Sequence, residues 1–146
     1  IASYIKNKHG LVIGEHTAEK IKMELGTALR VDDPETMDVR GRDVATGMPK
    51  QITVNENEIE EALHDTLEQI VSAAVNVLET IPPELASDII DRGIMLTGGT
   101  SLLKGVDQLF SARLKVPVVV SQDPLDNVAK GAGEMLERMQ KTERKK

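Results

Sequence analysis

The chain contains no cysteine. Disulfides, thiolate metal sites and cysteine nucleophiles are therefore excluded. Only Tyr4 and Phe110 are aromatic, which leaves no platform on which nucleic-acid bases could stack. The formal net charge is −6, the wrong sign for a surface that neutralises phosphates along a duplex. No apolar run approaches the roughly 20 residues of a membrane span. The opening "IASYIKNKHG" lacks the apolar stretch of a signal peptide. The first residue is not Met and lies within what reads as a helix, so a piece of a longer protein is expected.

What is present fits one globular domain: 146 residues, 40% hydrophobic and 29% charged. Charge is unevenly placed. Residues 55–91 carry ten Asp or Glu and no Lys or Arg, whereas the closing "RMQKTERKK" carries five basic side chains. Such runs are usually solvated helix faces; the sharper alternative is docking between like subunits.

Residues 4–8 read as the end of a helix stopped by Gly10, since glycine accepts the left-handed cap conformation. The apolar "LVIGE" follows. Thr17 reads as an N-cap, with Glu19 in the first turn where a carboxylate meets the positive end of the helix dipole. Ala18, Ile21, Leu25 and Leu29 then share a face. Alternation of Met37 and Val39, then of Ile52 and Val54, around "TGMP" predicts a hairpin. Asn55 and Glu58 form a capping box. A stripe of Ile59, Leu63, Leu67, Ile70, Ala74 and Leu78 continues from it, until Pro82 and Pro83 stop the helix. A short helix, a strand over 93–96, a helix over 101–114 and the strand "VPVVVS" come next. The last is apolar enough to predict burial on both faces. Pro124 is expected to start the final helix, with Val128, Ala132, Met135, Leu136 and Met139 buried. The element order suggests two lobes. In the second, strands separated by a helix should pair in parallel.

The stretch "IMLTGGTSLLKG" is the most informative. Ligands of open α/β sheets collect beyond the carboxyl ends of strands, where Gly98 and Gly99 lie. Two missing Cβ atoms allow close approach to the backbone. A helix starting near Thr100 and Ser101 would present free N–H groups to a phosphate. A plain change of direction explains the same turn equally well. His9, His16 and His64 have no spacing that places two on one helix face, so no metal site is expected. Glu60 and Glu61 are adjacent rather than facing and read as a solvated face. No catalytic residue is assigned.

"DIIDRGIMLTGGTSLLKG" resembles the adenosine-binding motif of the actin superfamily, and "DPLDNVAKGAGEML" its closing helix. "IGEHTAEKIKMELG" and "DVRGRDVATGMPKQI" narrow the resemblance to the MreB/Mbl family of bacterial actins that set rod shape. The likeness runs from Tyr4 to about Arg138. In the family a third glycine often stands where this chain has Thr100, and alanine where it has Ser101; actin itself has threonine at the former.

The resemblance implies an α/β, actin-like ATPase (ribonuclease H-like) second lobe. Residues 1–58 would be a small α+β outer subdomain and 59–146 a partial inner one. It implies that Gly98, Gly99, Thr100 and Ser101 line the adenosine and α-phosphate side of an ATP cleft. Glu19 and Lys22, three apart on one helix face, would cover base and ribose; without the resemblance they read as a surface ion pair. The family's phosphate loops, catalytic residue, Mg²⁺ carboxylate and membrane-inserting elements would lie ahead of Ile1. The chain by itself is therefore not expected to hydrolyse ATP. Implied partners are further copies in a filament, met partly through the exposed basic hairpin with Arg40, Arg42 and Lys50. Others are the cell-wall elongation machinery and, through the missing half, the inner face of the cytoplasmic membrane. No nucleic acid is implied. The alternatives are a soluble sugar kinase or chaperone-type ATPase, disfavoured by the short outer subdomain, and an interaction module without ligand. Only two strands of the inner sheet would be present. Their open edges and uncovered apolar faces predict a chain marginal on its own.

Overall fold

The computed structural model describes residues 1–143; Arg144, Lys145 and Lys146 of the basic run lie outside them. Helix α1 (Ala2–His9) ends on Gly10 in the left-handed conformation (φ 64°), whose N–H closes on the Lys6 carbonyl. β1 (Leu11–Val12) then pairs antiparallel with β2 (Thr36–Asp43), which pairs with β3 (Pro49–Asn55). The hairpin forms as the alternation predicts: Val39 and Val54 are buried while Arg40, Arg42 and Lys50 are exposed.

Helix α2 (Glu15–Leu25) starts earlier than Thr17 would have it. Gly14 is the N-cap, without a side-chain cap, and Glu15 supplies the first-turn carboxylate. Thr17 lies inside the helix and Glu19 falls in its second turn. The helix also stops at Gly26, so Leu29 is not part of its face.

Helix α3 (Glu56–Thr80) has the expected capping box between Asn55 and Glu58. It runs through both hydrophobic cores. Ile59 joins Ile5, Leu11, Ile21, Leu25, Val39 and Val54 under the three-stranded sheet. Leu67 and Val71 join Ala28, Leu103, Val106, Phe110, Leu114 and Val118 in the second core, and Leu63 packs against both. The stripe drifts by one residue: Val71 is fully buried and Ile70 exposed. Four-residue steps from Ile59 advance about 40° each on a 3.6-residue helix, so the buried face turns as α3 passes from the first core to the second. Glu60, expected to be solvated, is also buried, with His64 Nδ1 3.4 Å away.

Helix α4 (Pro83–Arg92) leads into β4 (Ile94–Leu96), which pairs in parallel with β5 (Val118–Val120). A 3₁₀ turn (Gly99–Leu102) and α5 (Val106–Leu114) connect them. The single helix expected over 101–114 is thus two pieces. Lys104 makes a parallel bridge to Thr27, and Gly105 sits at φ 73°; neither is compatible with a continuous helix. The break leaves Leu102 exposed and Leu103 buried.

Helix α6 (Asn127–Glu143) begins three residues after Pro124, which is buried in the preceding turn. Two predicted burials do not occur. Val119 of β5 is 52% exposed beside Met95 of β4, 66% exposed. Val128, Met135, Leu136 and Met139 of α6 are all exposed. A two-stranded sheet packs only one of its faces here, against α3 and α5, and α6 finds no second apolar layer among the described residues.

Candidate functional site

The end of β4 fixes the site. The Pro124 carbonyl accepts both the Gly98 N–H (2.8 Å) and the Thr97 hydroxyl (3.0 Å). Asn127 Nδ2 donates to Thr97 Oγ1 at 3.1 Å and also to Ser121 Oγ. The turn after β4 is thereby clamped to the turn before α6. Gly98 stands at φ 85°, ψ 169°, a region open essentially to glycine alone. Gly99 is held to no such angle, and a Cβ there would meet only Leu125, at 3.6 Å. Its cost to an L side chain is small unless something else occupies the space in front of it.

That space is an open hollow of about 430 Å³ lined by Glu19, Lys22 and Met23 of α2, by Gly99, Thr100, Leu102 and Leu103 of the turn, and by Leu125. It brings together four of the six residues singled out in the sequence: Glu19, Lys22, Gly99 and Thr100. The other two stand differently. Gly98 lies one residue back and shapes the turn. Ser101 is buried, and both its N–H and its hydroxyl donate to the Gly98 carbonyl, the latter at 2.7 Å. Ser101 therefore ties the turn rather than facing the hollow. The expected row of bare amides is shorter than the glycine pair suggested, because the N–H groups of Gly98 and Ser101 are already bonded. No α-helix begins at Thr100; the four-residue 3₁₀ turn replaces it.

Across the hollow, Lys22 Nζ lies 2.7 Å from Glu19 Oε1. This is the i,i+3 pair expected of one helix face, half-exposed and turned toward the glycine turn. A carboxylate and an ammonium on one wall, open backbone on the other, and apolar Met23, Leu102 and Leu125 between them make an amphipathic slot. It can take a flat group with hydroxyls at one edge. Leu125 and Met23 were not anticipated as site residues; each is an exposed apolar side chain beside a recognised motif residue, and only their convergence marks them.

The family described as MreB/Mbl protein matches residues 1–144. The cell shape-determining protein Mbl of Bacillus subtilis (strain 168) is 50% identical over 146 residues, which are 100% of this chain and 44% of that protein. The cell shape-determining protein MreB of Escherichia coli (strain K12) is 50% identical over 137 residues, 94% of this chain and 40% of that one. The chain thus spans less than half the length of these relatives. Among solved structures, MreB 5 of Spiroplasma citri bound to AMPPNP superposes with a TM-score of 0.93 at 30% identity, over 99% of this chain and 44% of that one. The same protein bound to ADP gives 0.94 at 29% identity, over 100% and 44%. The MamK double helical filament gives 0.73 at 18% identity, over 92% and 41%, a likeness of fold. The architecture is that of part of an actin-like protein.

Proposed function

The chain belongs to the MreB/Mbl family, and on that footing we propose that it forms the nucleoside-facing second lobe of an ATP-binding, filament-forming bacterial actin that governs cell shape. Mbl and MreB relatives at 50% identity favour this over a sugar kinase or chaperone-type ATPase. The observation that carries the nucleotide reading is the shared hollow: Glu19 and Lys22 come from one layer, Gly99 and Thr100 from the other, and all four line one space.

The residues present fit a nucleoside. Glu19 and Lys22 would hydrogen-bond ribose hydroxyls, exchanging their mutual contact for contacts to the sugar. Gly99 and Thr100 would admit the nucleoside to the backbone. Met23, Leu102 and Leu125 would cover the base edge and exclude water from it. When bound, ATP with its Mg²⁺ supplies the phosphoryl chemistry, and the metal would be held mainly by the remainder of the longer protein. Residues 1–58 would act as the outer subdomain, with the basic hairpin at one end meeting the next copy. The longer protein would lie in the cytoplasm at the inner face of the membrane, alongside the wall-elongation machinery. Among the described residues no helix is long and apolar enough to cross a membrane.

The test is Gly99→Ala in the protein at its natural full length. An alanine Cβ makes only an ordinary contact with Leu125, so the melting temperature should hold. ADP affinity should fall about tenfold or more, since a methyl group fills the approach to the backbone. Unchanged ADP affinity would sink the nucleotide reading.

A further inference from the structure

The two cores share little. Helix α3 passes through both, and the layers also meet along a seam between residues 26–28 and residues 103–104. Gly26 closes α2, its N–H donating to the Lys22 carbonyl at 2.9 Å. Its own carbonyl accepts the Lys104 N–H at 3.3 Å, and the Lys104 carbonyl accepts the Ala28 N–H at 2.8 Å. Thr27, fully buried, donates its hydroxyl to the Leu29 carbonyl at 2.7 Å, with the Lys104 carbonyl further off at 3.4 Å. The seam is tight: a Cβ on Gly26 would lie 2.1 Å from the Lys22 carbonyl oxygen and 2.6 Å from Leu103 Cδ2.

Lys104 also reaches across the seam with its side chain. Its Nζ donates to Glu56 Oε1 at 2.5 Å and lies 3.6 Å from Glu35 Oε2. Glu56 is 4% exposed, and its second oxygen accepts the Glu35 N–H at 3.0 Å. Only the carboxylate end of this pair is buried: the Lys104 side chain is 52% exposed and that of Glu56 5%, so removing the ammonium would leave a buried carboxylate without its cation. Here one end belongs to the loop that carries Gly99 and Thr100. The other belongs to the first turn of α3 and to the strand entry at Glu35, on the layer that carries α2.

We propose that Lys104 is a positioning residue that sets the separation of the two walls of the hollow, Glu19 and Lys22 on one side and Gly99 and Thr100 on the other. Its backbone holds the end of α2. Its side chain is a strut from the glycine-turn loop to Glu56. Binding a ligand across the hollow and closing the strut then favour each other, because coupling between two sites is reciprocal. The inference rests on the nucleotide reading above and adds a device to it.

The experiment uses the full-length protein and ADP as the probe. Lys104→Met keeps the backbone seam and the apolar stem. Glu56 keeps the Glu35 N–H and its place at the positive end of α3, so folding should survive. ADP affinity should fall about fivefold or more, while Lys104→Arg should stay within about twofold of the parent. Glu56→Gln should weaken ADP comparably, and the double variant should be no weaker than either single one, as expected for partners in one contact. A readout that a merely structural role would not move is hydrogen exchange at the Ala28 amide: ADP should slow it in the parent and not in Lys104→Met. If Lys104→Met lacks a cooperative melt, Glu56→Gln carries the same test. Parental ADP affinity in Lys104→Met, or additive losses in the double variant, would overturn the strut. If Gly99→Ala abolishes binding while Lys104→Met does not, the strut alone fails. If Gly99→Ala also binds normally, the nucleotide reading fails first.

Discussion

At the scale of single residues, the two glycines after β4 have different jobs. Gly98 pairs φ 85° with ψ 169°, and a Cβ on it would touch nothing within 4 Å. The whole penalty of Gly98→Ala is therefore backbone strain, about 1–3 kcal/mol. Urea denaturation of the full-length variant should show that loss; a change under about 0.5 kcal/mol, the range of ordinary surface substitutions, would mean the angle is not enforced. Gly99 is the reverse case, cheap to replace as far as the protein's own contacts go and costly only if a ligand needs the space. The pair was legible in the sequence as a tight turn after an apolar run, a pattern that a change of direction alone explains equally well. The division of labour was not, because it depends on Pro124, 26 residues beyond Gly98, supplying the carbonyl that fixes the first glycine. Ser101 differs for another reason: its hydroxyl bonds the Gly98 carbonyl three residues back, a local contact that follows from the shape of the turn and not from the residue type.

At the scale of elements, local chemistry decided the hairpin and α3. The hairpin loop is organised by Asp43, which accepts the N–H groups of Ala45 and Thr46, both at 2.9 Å, and pairs with Lys50 at 3.0 Å. The Thr46 N–H first, and then the Lys50 ammonium, hold the Asp43 carboxyl down at about 2. The sign follows. A folded-state value below the unfolded one means the contribution is fully present above about pH 4 and is lost as pH falls through about 2. Ala45 and Thr46 amide resonances should therefore hold their positions at pH 3 and move only nearer pH 2. A midpoint at the ordinary aspartate value near 4 would show that the loop is not built this way. The capping box at Asn55 was readable because both partners lie within one turn. The starts of α2, α5 and α6 were not. Each is set by a distant partner: β1 pairing before Gly14, the Thr27–Lys104 bridge before Val106, and the Thr97, Ser121 and Asn127 network before α6.

At the scale of the molecule, the second layer is open. Val128, Met135, Leu136 and Met139 on α6, Leu85 and Ile90 on α4, and Met95 and Val119 on the sheet are exposed. Val128 is 78% exposed, as bare as a charged surface residue. Soluble chains seldom leave so much apolar surface uncovered without a partner for it. The chain spans 44% of the length of the Mbl relative. Expressed alone, the chain should melt broadly and associate as its concentration rises. A sharp, concentration-independent thermal transition would contradict this. The first core, by contrast, should be the more protected half in hydrogen exchange, since Ile5, Leu11, Ile21 and Ile59 are fully buried.

The sequence alone determined the hairpin, the capped long helix and the pair of glycines, because each is written in residues close along the chain; the family followed from motifs in order along it, and the parallel strand pair from the strand–helix–strand order. It placed Glu19 and Lys22 on one helix face because they too lie close along the chain. Only the tertiary structure decided that this face looks onto Gly99 and Thr100, that Ser101 turns inward, that the helix after the glycines breaks at Lys104, and that α6 stays bare. Those outcomes depend on which layer lies opposite, and a run of residues carries no record of what stands across the gap.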